Sequence, residues 1–261
     1  TGHTSDDSGA AIGNVGGSLT INNTIISGNQ AAGGAISNNF DGSVIISNNS
    51  SITDNTSTSH GGGIANYSGD VTIFDSQISN NHAVTGGGGI YNTADLHLEA
   101  GTIIGSELSG QGNTTDASGG GIYNAGGDVE LNDVSVLYNE ANDAGGIYNA
   151  TLSTLVINNS VISNNVTVPS YGGGIVNDAD MVINTSTFSG NMARAGGGAL
   201  YLINGITSID KSTFEVNIDQ TLHGGAISVG SLHALSITNS SFYANSAYDG
   251  GAIYADSTQI L

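Results

Sequence analysis

Apolar residues recur along this chain on two scales. Within short stretches, inward and outward positions alternate, as in Leu155-Val156-Ile157, Met181-Val182-Ile183 and Leu235-Ser236-Ile237. Such alternation marks a half-buried strand. Over longer distances two landmarks return. A GG(G/A)I motif places Ile36, Ile64, Ile90, Ile122, Ile147, Ile175, Ile227 and Ile253 in one column, completed by Ile12 and Leu200. A second column holds Asn29, Asn55 and Asn81, then Asn139, Asn165, Asn191 and Asn217 on a 26-residue step apart from one insertion, and Asn245 after 28. Three positions ahead of each stands Ile26, Ile52, Ile78, Val136, Ile162, Phe188, Phe214 or Phe242.

Polar corners separate the apolar stretches, for example Asn22-Asn23-Thr24 and Asn158-Asn159-Ser160. Asn and Asp tolerate left-handed backbone and cap turns with their own side chains. Each repeat therefore reads as three short strands joined by two polar corners and one glycine-rich loop. A unit this short cannot bury its apolar face alone, whereas stacked units share a continuous core. Hairpins of a sandwich would not return one column at this period. The expectation is an all-β, right-handed parallel β-helix of about ten coils of about 26 residues, since parallel crossovers are right-handed. Residues 1–261 read as one β-helix segment with a loop insertion near 106–118. Residues 1–9 look like a loop within a running repeat and 257–261 like the start of another strand, so a longer solenoid is expected around them.

Composition removes the competing classes. Glycine contributes 41 residues, but proline only one and there is no G-X-Y period, which excludes collagen. Hydrophobic residues make up 38% at fixed spacing, too many and too regular for a disordered segment. Twenty-two acidic residues face two basic ones, Lys211 and Arg194, giving a net charge of −20. That balance repels phosphates and excludes nucleic acid as a partner. No apolar run is long enough to span a bilayer, and no signal peptide is expected.

The GGAI and FxxN elements together (Gly224-Gly225-Ala226-Ile227; Phe188 to Asn191, Phe214 to Asn217, Phe242 to Asn245) resemble the repeat signature of the chlamydial polymorphic outer-membrane proteins. GGGIYN followed by the NSxISxN stretch is similar to exported bacterial repeat proteins of the pectate-lyase-like superfamily. The resemblance runs from Gly9 to Ile253. It implies a β-helix, a bacterial cell-surface or extracellular location, and an autotransporter-like setting.

Most conspicuous residues belong to a column. The asparagine column reads as a structural ladder of stacked amides, and so does a second set, Asn14, Asn38, Asn66, Asn92, Asn124, Asn149 and Asn177, two positions after the GGxI isoleucine. That set stops at Asn177, giving way to Leu202, Val229 and Ala255 where phenylalanine replaces isoleucine, which predicts a change of core packing. Asn-x-Ser/Thr triplets such as Asn113-Thr114-Thr115 read as composition. Tyr91, Tyr123 and Tyr148, with Tyr201 and Tyr254 later, follow the inward isoleucine and should point outward as an exposed aromatic stripe. Tyr91, Tyr123, Tyr148 and Tyr201, together with Glu107 and Asp116 of the insertion, are the candidate binding residues for a protein or glycan of a cell surface or matrix. Asp178 and Asp180 are candidate calcium ligands. Asp6 and Asp7 adjoin, and Asp70, Asp95 and Asp128 hold similar places in successive coils. No catalytic motif, zinc spacing or phosphate loop appears: GGGI is followed by a strand and carries no lysine. The expected function is a non-catalytic structural or adhesive surface solenoid, with no cofactor beyond calcium. A carbohydrate-binding or carbohydrate-processing β-helix and a filament or layer component, associating laterally or end to end, are the alternatives.

Overall fold

The computed structural model describes residues 2–4 and 9–256. The expectations placed on Asp6, Asp7 and 257–261 lie outside them. All strand pairings among the described residues are parallel, in three sheets of 17, nine and eight strands. The nine-stranded sheet marks about nine turns, one fewer than expected, because the ten GGxI landmarks bound nine intervals. The three strands read in each coil are present. The first two share the largest sheet, and a further short strand, such as Gln30–Ala31 or Thr56–Ser57, follows each ladder asparagine from Asn29 to Asn217.

Register follows the sequence columns. Ile12 pairs with Ile36, Ile36 with Ile64, and the series continues rung by rung to Ile253. The isoleucines from Ile36 to Ile227 are fully buried, as are Leu96, Leu155 and Leu235 of the alternating strands. The C-terminal change of packing is a phenylalanine stack: Phe188, Phe214 and Phe242 lie 4.7 and 5.0 Å apart, tilted by 7° and 8°. Offset stacking of this kind adds about 0.5–1.5 kcal/mol per pair beyond area burial.

Corners are enforced by ladders. In the first, each Asn Nδ2 donates to the next coil's Oδ1, from Asn29→Asn55 at 2.8 Å to Asn217→Asn245 at 3.0 Å. The same Oδ1 accepts the preceding coil's backbone N–H, and Nδ2 also donates to the carbonyl of the I/F residue one coil back. One side chain thereby satisfies several buried backbone groups that would otherwise lose hydrogen bonds to water. The turn also bends the residue before the asparagine into left-handed backbone, even where that residue is Tyr138 or Val216. At the opposite corner Asn23, Asn49, Asp75, Asp133 and Asn159 are left-handed, and serine hydroxyls accept N–H groups across coils, as Ser186 does from Ser160 at 3.1 Å.

The ladder is more complete than the sequence reading allowed. Asn113 stands between Asn81 and Asn139, accepting from Asn81 and donating to Asn139, each at 3.0 Å. Three positions separate Ile78 from Asn81 but nine separate Ile104 from Asn113, so the extra residues are 106–111 alone. The expected insertion, 106–118, is thereby narrowed: residues Thr114–Ser118 form a strand paired on both sides.

The second ladder runs from Asn14 to Asn177 through links of 2.8 to 3.1 Å. Several of its amides also hold a carbonyl of the following turn, as Asn38 holds that of Gly42 and Asn124 that of Gly127. Where Leu202 and Val229 replace asparagine, that clamp is gone and the corner straightens. The two strands fuse into single ones, Leu200–Asp210 and Ile227–Thr238.

Candidate functional site

The outward position after each GGxI isoleucine defines one rail on the surface. Rung by rung it carries Ser37, Ala65, Tyr91, Tyr123, Tyr148, Val176, Tyr201, Ser228 and Tyr254. The tyrosines do point away from the core, but the expected exposed stripe is half-buried at Tyr91, Tyr123, Tyr148 and Tyr201. Neighbouring rings cover them. Tyr91 and Tyr123 stack at 5.6 Å and 14°, Tyr123 and Tyr148 at 5.1 Å and 4°.

A second rail, five residues earlier in each coil, completes the face. Where the first rail carries Ala65, Val176 or Ser228, the second supplies His60, Tyr171 or His223. Each of these rings packs on the tyrosine of the following coil: His60 on Tyr91 at 4.3 Å, Tyr171 on Tyr201 at 4.3 Å, and His223 on Tyr254 at 4.0 Å. Where the first rail carries a tyrosine, the second carries Gly86, Ser118, Asp143, Gly196 or Asp249. Each coil from His60 onward therefore contributes one ring from one of two positions. Sequence reading missed this exchange because the partners belong to different coils, although the one-ring-per-repeat count was a readable signal.

Burial sets the electrostatics of the face. It raises the pKa of Tyr67, Tyr91, Tyr123, Tyr148 and Tyr201, with like charges nearby adding to the effect. Tyr148 is pushed furthest, to about 12, first by burial and then by the Asp143 carboxylate. Asp143 itself is raised by burial, against hydrogen bonds from Ser170 and the Tyr171 N–H that pull it down.

The other candidates are dispersed. Glu107 is exposed in the loop at 106–111, while Asp116 lies on the neighbouring strand, 3.9 Å from His82 Nε2. Asp178 accepts hydrogen bonds from Asn204 and Thr151, and Asp180 from the Ile206 N–H. Asp70, Asp95 and Asp128 fall on successive rungs and are exposed, but no group of three His, Cys, Asp or Glu side chains placed to hold a metal ion occurs among the described residues. His233 was not singled out from the sequence. It is buried, bonded to the Asn204 carbonyl at 2.7 Å and the Thr207 hydroxyl at 2.8 Å, and burial lowers its pKa.

The Chlamydia polymorphic membrane protein repeat matches this chain three times, at residues 75–93, 185–203 and 239–256. These stretches hold a polar corner, the I/F-x-x-N step and the glycine corner, which are the parts of the coil that the ladders and rails build. Over these stretches the chain thus resembles the repeats of Chlamydia polymorphic membrane proteins. No curated protein and no solved structure gave a match. No helix among the described residues is long and apolar enough to cross a membrane.

Proposed function

We propose that this chain forms part of a rod on a bacterial cell surface that spaces or displays an adhesive face and carries out no catalysis. The observation that supports this most is the assignment of its buried polar side chains: the asparagines and serines that would attract a search for chemistry are consumed by ladders between coils. Such a rod offers length and a repeated face, and its partner is a protein or glycan of a cell surface or matrix. Antibodies raised against the chain should label intact cells of the source organism, and beads coated with the purified chain should adhere to a target surface. Labelling only after permeabilisation would sink the reading.

A second reading, a building block of a filament or layer, draws on an apolar strip along the alternating strands. Val156, Val182 and Ile206 line a surface groove of about 430 Å³ with Leu155 and Met181, and Ile206 is 62% exposed. Sedimentation of the purified chain at rising concentration tests it: a monomer throughout removes it. Neither reading calls for a cofactor. Calcium titration followed by thermal melting tests the Asp178–Asp180 candidate, and a raised melting temperature would add the ion.

A further inference from the structure

On the first rail, the rung between Tyr201 and Tyr254 carries a serine, the ring of that coil being His223 on the second rail. Tyr201 and Tyr254 lie two rungs apart on the first rail, about 10 Å at ordinary strand spacing. Ser228 stands between them and projects no ring. In the coil beneath, the second rail carries Gly196, whose added Cβ would lie 3.5 Å from both the Ser228 hydroxyl and the Tyr201 ring. Small residues of the two rails thus meet across adjacent coils. The result is a cleft of about 360 Å³ bounded by two stacked pairs, Tyr171 on Tyr201 and His223 on Tyr254, with Ser228, Ser231 and Asp256 among its polar lining.

We propose that this cleft binds one neutral pyranose ring. Three features select that ligand. The Tyr201 wall, fixed by the sheet, offers an apolar platform whose ordering was completed on folding, which lowers the entropic cost of binding. Ser228 and Gly196 leave the Tyr201 ring without a first-rail ring stacked above it, where other rungs hold one at 5.1 and 5.6 Å, and the cleft of about 360 Å³ there has room for a sugar chair against that aromatic face. Serine hydroxyls and a carboxylate at the edge suit the donors and acceptors of a sugar's hydroxyl groups. Charge narrows the class further: Asp249 and Asp256 beside the cleft, on a chain of net charge −20, disfavour uronates, sialylated sugars and sugar phosphates. The inference goes beyond the surface-rod reading and does not depend on it, because the test is made on the purified chain.

Saturation-transfer NMR with the methyl glycosides of glucose, galactose, mannose and N-acetylglucosamine, and with methyl glucuronoside as the anionic counterpart, reads the cleft directly. At least one neutral glycoside should receive saturation at its ring protons, and the glucuronoside none. Ser228→Tyr, which places a ring on the first rail above Tyr201, should weaken binding by about tenfold or more, while Leu152→Ala on an exposed loop should leave it unchanged. If Ser228→Tyr does not fold, Tyr201→Ala removes one wall and should produce the same loss. Absence of binding by every neutral glycoside overturns the proposal. So does binding that survives both cleft variants, and so does a site that takes tetramethylammonium but no sugar.

Discussion

A single ladder asparagine serves two coils at once. Asn165 donates to Asn191 Oδ1 at 3.0 Å and to the Val136 carbonyl at 2.9 Å, and its own Oδ1 accepts from the Asn139 side chain and backbone. Asn165→Ala leaves several of these buried groups unpaired, so a loss of roughly 2–5 kcal/mol is expected in chemical denaturation. The tyrosine face gives a prediction in pH. Tyr148 ionises in the folded chain at about 12, above its ordinary value of 10.0. The unfolded chain therefore releases this proton first, and the stability contributed by the neutral phenol is present below pH 10 and lost as pH rises through 12. Asp143→Asn removes the second-largest cause of the shift. Tyr148 should then titrate lower, though still above 10.0 because burial remains, as ultraviolet titration would show. A Tyr148 titration unmoved by this substitution would contradict the placement of the carboxylate.

At the level of the element, strands begin and end where ladders allow. Corners held by Asn38 or Asn124 stay sharp, while coils with Leu202 and Val229 run through in strands of 11 and 12 residues. The insertion makes the same point in reverse. Removing residues 106–111 would join Gly105 to Gly112 and restore an I-x-x-N step, Ile104-Gly-Gly-Asn113, like that of Ile26 to Asn29. This deletion should keep the fold and change stability by no more than about 1 kcal/mol, since loop length carries a weak entropic cost. A melt showing collapse of the fold would mean that the loop supports its neighbours. The columns were legible because each inward position returns with its own residue type. Asn113 was not, because six intervening residues hid the step that identifies it. Tyrosine direction was legible from alternation, but its half-burial depends on rings contributed by adjacent coils, which no single repeat contains.

The whole molecule is a stack of about nine turns in which contacts run from coil to coil, so length adds interfaces without deepening the core. Its charge is less comfortable. Twenty-two acidic residues against two basic ones place like charges close together along the stack, as at Asp70, Asp95 and Asp128 on consecutive rungs. Repulsion between exposed carboxylates persists within a Debye length, about 8 Å at physiological ionic strength and about 3 Å at 1 M salt. Raising sodium chloride should therefore raise the melting temperature, and a fall would show that the acidic surface is not under strain.

The two buried ladders also give the rod a direction. In both, every amide points the same way along the axis: Nδ2 of one coil toward Oδ1 of the next, from Asn14 to Asn177 and from Asn29 to Asn245. Their dipoles add head to tail, as peptide dipoles do in a helix. For the ladder that ends at Asn245, a coil added ahead of Asn29 must offer donors and one added after Asn245 must offer acceptors, whereas the ladder that ends at Asn177 is already closed off by Leu202 and Val229. Two such rods brought together at like ends would meet donor against donor or acceptor against acceptor, so the ladder is a vector that lets stacks grow in a single sense.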